Sequence, residues 1–387
     1  MNQLLMAPGP VPIHEKVLRV LSNPTIHHRT DKFRNIFSSC LKKLKIVFQT
    51  EQPVFIVPGT GSAAMESALV NTLSEGDPIL CIINGKFAER WYDMATAYKL
   101  NAEKFEVHHE ETFNIETFKK LNLKKYKAVL CQAVETSTGN LFPIEDIGTV
   151  IKKQNPQCLF MVDGITAVGV SHISMKIPSI DVLVSGSQKS FMLPAGLSFI
   201  CLSPLAWESA QQATLPNYYF DLAEELKHNK KKQSRFSSLV NHTYALDMVL
   251  DEFINDKLDA RIKYCSESAA QFREALKELN ISLFSTMPAP SLTVIKVPDN
   301  IDGLKLKNDL EQLHHIIVAG GQDQLKGKII RFGHMGYITI DNYKTTLTAL
   351  QKSLQAQDPK YNETLLAQSL SVYSKNPIAD YHDYFNY

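Results

Sequence analysis

The chain has 387 residues, 44% of them hydrophobic and 21% charged, with 41 basic against 40 acidic side chains and a formal net charge of +1. This length accommodates about two domains, each large enough for its own core, and the balanced charge gives no basis for nucleic acid or an anionic membrane as the main partner. No apolar stretch approaches the length of a transmembrane helix, the start Met1–Pro8 lacks the basic region and long apolar core of a signal peptide, and the Tyr384-Phe385-Asn386-Tyr387 end is no peroxisomal address.

Seven short apolar runs read as strands, at Val54–Val57, Leu80–Ile83, Phe105–Val107, Ala128–Cys131, Leu159–Val162, Val182–Val184 and Phe199–Leu202. Amphipathic segments Ala63–Leu73, Ala88–Leu100, Ile115–Leu121 and Ile144–Lys153 lie between several of them. Apolar strands alternating with helices predict an α/β fold with a mostly parallel seven-stranded sheet covered on both faces. In such sheets ligands collect at the carboxyl ends of the strands. Beyond Leu202 the pattern loosens: Pro216–Arg235 reads as irregular, and a helical region extends to about Leu279. Strands at Leu292–Val297, Ile316–Val318 and Ile329–Phe332, with a helix at Leu304–His314, predict a smaller α+β C-terminal domain. The last thirty or so residues read as a helix and a tyrosine-rich tail. Six cysteines are scattered without a CxxC pair, and four fall inside apolar runs, so the cytoplasm is the expected compartment.

The residues able to do chemistry sit beyond strand ends. Pro58-Gly59-Thr60-Gly61-Ser62 separates a strand from a helix. Its glycines permit close approach, and the helix start offers N–H groups and hydroxyls to an anion; an ordinary helix cap with Ser62 as N-cap serves equally well. Phe87 suits stacking on a flat ring or simple core packing. Glu135-Thr136-Ser137-Thr138-Gly139 clusters hydroxyls past a fourth strand. Asp163 ends one apolar run, and Lys189 follows another in Ser187-Gln188-Lys189. Singly, each is an unexceptional turn or loop residue. Together they match the needs of pyridoxal phosphate chemistry: an amine for a Schiff base and a carboxylate that keeps the pyridine nitrogen protonated. Burial favours the neutral, nucleophilic form of such an amine. Arg331, at the end of another apolar run, is placed either to clamp a carboxylate in bidentate fashion or to form a salt bridge. The pairs His27-His28 and His108-His109 lack carboxylates at metal-ligand spacing, and no metal is expected.

In this order, Pro8-Gly9-Pro10, His28-Arg29, Gly59-Thr60-Gly61-Ser62, Asn84-Gly85-Lys86-Phe87, Glu135–Gly139, Val162-Asp163-Gly164, Ser185-Gly186-Ser187-Gln188-Lys189 and Arg331–Gly336 resemble the class V aminotransferases of PLP fold type I, the alanine–glyoxylate and serine–pyruvate group. The resemblance implies a large PLP-binding domain over residues 21–250 and a small domain over 251–355. Segment 1–20 joins the small domain, and 356–387 forms an extension. It implies Lys189 as the covalent anchor and proton shuttle, and Asp163 on the pyridine nitrogen. Thr60, Gly61, Ser62 and Gln188 would bind the phosphate, Phe87 would stack on the ring, and Ser137 or Thr138 would touch its edge. Arg331 and Gly9 would meet the substrate. It further implies a homodimer in which the neighbour lends a phosphate contact. The corresponding element reads Arg235-Phe236-Ser237-Ser238: Ser237 keeps the hydroxyl, the usual proline is missing, and Arg235 is a substitute cation. The expected activity is ping-pong transfer from alanine or serine to glyoxylate or pyruvate. A transaminase or lyase for ureidoglycine or an aminophosphonate, and a non-catalytic regulatory protein of the same fold, are the alternatives. A cysteine desulfurase is disfavoured, because the last cysteine is Cys265.

Overall fold

A computed structural model describes residues 3–111, 113–255 and 257–384, excepting the side chains of residues 383 and 384. The first two residues of the N-terminal segment and the last three of the tyrosine-rich tail lie outside it. The strands in chain order are β1 (Leu4–Leu5), β2 (Val54–Gly59), β3 (Pro78–Ile83), β4 (Asn101–Glu106), β5 (Ala128–Gln132), β6 (Val134–Glu135), β7 (Asn140–Leu141), β8 (Leu159–Asp163), β9 (Val182–Gly186), β10 (Gly196–Leu202), β11 (Leu292–Lys296), β12 (Ile316–Ile317), β13 (Ala319–Gly320) and β14 (Ile329–Gly333).

The large sheet has seven strands in the order β2-β10-β9-β8-β5-β3-β4. Strand β10 runs antiparallel to both neighbours, and the remaining pairs are parallel. All seven predicted strands are in it. Successive side chains divide between its faces, as the two-residue strand period requires. Val54, Ile56, Leu80, Ile82, Val129, Phe160 and Val162 join the apolar cluster that includes Phe33, Phe37 and Leu44 of helix Asp31–Phe48. Phe55, Val57, Ile79, Cys81, Leu130, Met161 and Val184 pack with helices Gly61–Thr72 and Lys86–Ala97 on the other face. Central strands are therefore buried throughout, while edge strand β4 is mostly polar and only its Ala102 and Phe105 are partly buried.

A second sheet, ordered β11-β14-β13, carries helices Lys257–Glu278, Gly303–Gln312 and Ile340–Gln355 around a third cluster. Strand β1 pairs in parallel with β12, Leu4 opposite Ile316, so the chain start is built into this part of the molecule. Two details depart from expectation. The segment read as irregular contains helix Leu222–Asn229, capped by the Asp221 side chain on the Glu224 N–H. Glu224 and Glu225 lie in its first turn, and Lys227 and His228 in its last, a charge order matched to the helix dipole. The helical region toward Leu279 is two helices, Val240–Leu250 and Lys257–Glu278.

Because β2, β8 and β9 run in one direction, Gly59, Asp163 and Gly186 end on the same edge of the sheet. That edge forms the floor of the site.

Candidate active site

A cleft of about 420 Å³ opens over these strand ends. Gly9, Thr60, Gly61, Ser62, Phe87, Asp163, Gln188 and Lys189 all line it, so most of the residues singled out in the sequence converge on one space. Arg90, Thr136, Ile165 and Thr166 line it as well.

Lys189 stands on a tight turn after β9. Ser187 fixes the turn: its N–H donates to the Leu197 carbonyl at 2.9 Å and its hydroxyl to the Pro194 carbonyl at 2.7 Å. Lys189 is only 9% exposed, and its ammonium donates to the carbonyl oxygen of Pro8 at 2.8 Å. Burial, assisted by the Arg331 charge, brings the amine down to about 8; Asp163 opposes that shift. Asp163, 6% exposed, accepts the Ile165 N–H at 2.8 Å on Oδ1. Burial raises its carboxyl to about 6, with Glu135 adding to the rise and Arg90 and Lys189 resisting it. An amine lowered to about 8 and a carboxyl raised to about 6 thus line one cleft.

The anion-binding end is the start of helix Gly61–Thr72. Thr60, not Ser62, holds the N-cap position, and its hydroxyl makes no capping bond to the helix. Arg90 Nη1 donates to Ser62 Oγ at 2.9 Å, and the guanidinium lies 5.2 Å from the Phe87 ring centroid. Gln188 Oε1, also at the cleft, has no hydrogen-bond partner among the described residues. A buried acceptor of this kind costs free energy unless a donor arrives.

Helix Lys86–Ala97, which carries Phe87 and Arg90, begins on Glu135. That buried carboxylate accepts the N–H groups of Ala88 at 2.9 Å, Phe87 at 3.4 Å and Ser137 at 3.0 Å, and the Ser137 hydroxyl at 2.6 Å. Ser137 and Thr138 are consequently turned into the wall. The Thr138 hydroxyl donates to Asn84 Oδ1 at 3.0 Å, and it is Thr136 from the same turn that faces the cleft. Thr136 Oγ1 also bonds Thr166 Oγ1 at 2.9 Å.

Arg331 is 8% exposed on β14. Its Nε donates to the Gly320 carbonyl at 3.0 Å and its Nη1 to the Thr136 carbonyl at 3.1 Å. No carboxylate lies within ion-pair distance of it among the described residues. Ser237 is exposed and lies apart, at a small hollow beside Pro58, Tyr219 and Phe236. Arg235 Nη1 donates to the Tyr218 carbonyl at 2.6 Å and approaches Asp221 at 3.8 Å.

Among the described residues no three His, Cys, Asp or Glu side chains are grouped to hold a metal, and no helix is long and apolar enough to cross a membrane. Sequence reasoning missed Arg90, Thr136 and Thr166 at the cleft. Arg90 was accessible to it: three residues after Phe87 on a helix, it shares that residue's face.

Residues 13–343 match the family model described as Aminotransferase class-V. The chain is 36% identical over 361 residues to an uncharacterized aminotransferase, MJ0959, of Methanocaldococcus jannaschii, covering 92% of this chain and 93% of that protein. Among solved structures it resembles a subgroup IV aspartate aminotransferase from Thermus thermophilus, with TM-score 0.85, 30% identity and coverage of 92% and 99%. It also resembles an alanine–glyoxylate aminotransferase from Nostoc sp., with TM-score 0.87, 28% identity and coverage of 92% and 96%.

Proposed function

The chain belongs to the class V aminotransferase family of PLP fold type I, and from that premise we propose that it transfers the amino group of alanine or serine to glyoxylate or pyruvate in two half-reactions, with pyridoxal 5′-phosphate as cofactor. The observation that carries this reading is the pairing of Lys189 and Asp163 in one cleft, with the carboxylate-free guanidinium of Arg331 bearing on Lys189.

The residues present fit the cofactor. The uncapped start of helix Gly61–Thr72 and the Arg90 guanidinium beside it suit a phosphate monoester, and Phe87 offers a ring face. Gln188 reaches the phosphate in this reading through its amide N–H. When bound, the cofactor supplies an aldehyde carbon to carry the amino group and a ring that accepts electrons. Asp163 supplies the carboxylate for the pyridine nitrogen, one oxygen being fixed by Ile165. Arg331 holds the substrate α-carboxylate, which compensates its own buried charge. Lys189, its amine brought down to about 8 and acting in its neutral form, removes the α-proton of the donor and later returns a proton to the α-carbon formed from the acceptor. Gly9 and Pro10 border the substrate and help to exclude water.

The same reading divides the chain into a cofactor domain over 21–250, a small domain over 251–355 joined by segment 1–20, and an extension over 356–387. It takes the protein as a homodimer in which Ser237 reaches the neighbour's phosphate. Six unpaired, buried cysteines support placement in the cytoplasm.

Product analysis of purified, PLP-reconstituted protein tests the proposal. Alanine or serine with glyoxylate or pyruvate gives the paired products. Turnover only with aspartate, ureidoglycine or an aminophosphonate would replace the donor, and no turnover with any donor would remove the activity.

A further inference from the structure

We infer that Arg90 is a phosphate ligand of the cofactor, a cation supplied from within the same subunit. The inference rests on the proposed PLP cofactor and adds a residue whose type and place the family comparison does not assign.

Three observations place it. Arg90 projects from helix Lys86–Ala97 into the cleft and donates from Nη1 to Ser62 Oγ at 2.9 Å, at the start of helix Gly61–Thr72. A helix start with uncapped N–H groups attracts an anion, and a guanidinium beside it adds full positive charge with two parallel donors. No carboxylate lies within ion-pair distance of Arg90 among the described residues, so its charge is not taken up by an ion pair. Phe87 lies one helical turn earlier on the same helix, 5.2 Å from the guanidinium. A ring resting on Phe87 with its phosphate toward Ser62 therefore brings that phosphate to Arg90.

Arg90 and Arg331 serve different anions. Arg331, held by the Gly320 and Thr136 carbonyls, takes the substrate carboxylate in the reading above. Arg90, bonded to Ser62 at the helix start, takes the phosphate. This arrangement also bears on the absent proline of Arg235–Ser238: Arg235 is engaged with Tyr218 and Asp221 in its own subunit. Arg90 supplies the neutralising charge without depending on that element.

The test compares binding of PLP and of pyridoxal, which lacks the phosphate, to cofactor-free wild type, Arg90→Gln and Arg90→Lys. Affinity is followed by tryptophan fluorescence and cofactor absorbance. Loss of a charged hydrogen-bond donor at the phosphate predicts PLP affinity weaker by on the order of tenfold to a hundredfold in Arg90→Gln, with pyridoxal affinity unchanged. Arg90→Lys recovers part of the PLP preference. Inorganic phosphate competes with PLP more strongly in wild type than in Arg90→Gln. Equal losses for PLP and pyridoxal would overturn the inference by assigning Arg90 to the helix or the Phe87 stack, and unchanged PLP affinity would overturn it outright. If Arg90→Gln does not fold, Arg90→Lys with wild-type thermal stability decides: a loss of PLP affinity with pyridoxal affinity unchanged supports the inference, and wild-type PLP affinity or equal losses for both compounds overturns it. Wild type that binds neither compound removes the cofactor assignment itself, a result separate from any change confined to the variants.

Discussion

The Lys189 ammonium donates to the carbonyl oxygen of Pro8 at 2.8 Å, across a sequence separation of 181 residues. Pro8 belongs to a segment tied to the C-terminal part of the molecule: Leu4 and Leu5 pair with β12 in a separate two-stranded sheet, and the Gly333 N–H of β14 donates to the Met6 carbonyl at 2.6 Å. The lysine of the large sheet is therefore roofed by a segment tied to the other part of the molecule. Closure over the site and position of the amine are set together.

Gly9 is where this roof is tightest. Its φ of +149° suits glycine, and a methyl group added there falls on Lys189 Nζ. Gly9→Ala is expected to retain the fold but displace the amine, lowering kcat/KM by on the order of a hundredfold, as misplaced catalytic groups do. Steady-state kinetics beside thermal unfolding checks this; wild-type kcat/KM in the variant removes the argument for a close roof.

The shifted proton affinities predict how stability of the cofactor-free protein depends on pH. Lys189 titrates at about 8 when folded against 10.5 when exposed. Below pH 8 both states hold the proton and the folded state bears the full cost of burying it, roughly 3 kcal/mol. Between 8 and 10.5 only the unfolded chain holds that proton, so this contribution to stability rises with pH. Asp163 lies at about 6 against 3.8. Between 3.8 and 6 the folded state holds the extra proton, so its contribution falls as pH rises and stays low above 6. The two costs overlap from pH 6 to 8. Lys189→Met is expected to abolish turnover, to stabilise the cofactor-free fold near pH 7, and to erase the gain between pH 8 and 10.5. Denaturant titrations across pH measure this, and an unchanged pH profile in the variant refutes the assigned shift.

Glu135 holds the start of the helix bearing Phe87 and Arg90 through bonds to Ala88, Phe87 and Ser137. Removing a buried acceptor strands its donors, so Glu135→Ala is expected to cost about 2–3 kcal/mol of stability. It also loosens Phe87, so cofactor affinity falls with it. Calorimetry and cofactor titration read both; a stable variant with intact affinity would show that the cap is dispensable.

The strands were legible because their apolar runs are bounded by polar turns, and all seven lie in one sheet. Lys189 and Asp163, singled out for the chemistry their side chains allow, both line the cleft. Ser137 and Thr138 show the limit: their hydroxyls face Glu135 and Asn84, because the tight turn to Gly139 directs Thr136 outward instead. Side-chain direction within this five-residue turn depends on a local bond from Ser137 to Glu135 and a distant one from Thr138 to Asn84, which residue types alone do not encode. Helix Leu222–Asn229 was hidden for another reason. Only Leu222 of it is buried, so charge order and capping carry a signal that hydrophobic periodicity lacks.

Arg331 is held by backbone acceptors on two sides, Gly320 through Nε and Thr136 through Nη1. These bonds orient the guanidinium plane while leaving Nη2 for a ligand. Burial disfavours its charge, and the binding of a carboxylate restores the lost interaction. Lysine keeps the charge but cannot span two backbone carbonyls and a carboxylate at once. Arg331→Lys is therefore expected to lower kcat/KM for both amino and oxo acids by on the order of a hundredfold, chiefly through KM, since a carboxylate bound in ground and transition states alike contributes uniform binding. Cofactor affinity should hold, because the phosphate lies toward Ser62 and Arg90. Parallel kinetics and PLP titration distinguish the outcomes: unchanged KM for every substrate would move the carboxylate elsewhere, and loss of PLP affinity would place Arg331 on the cofactor instead.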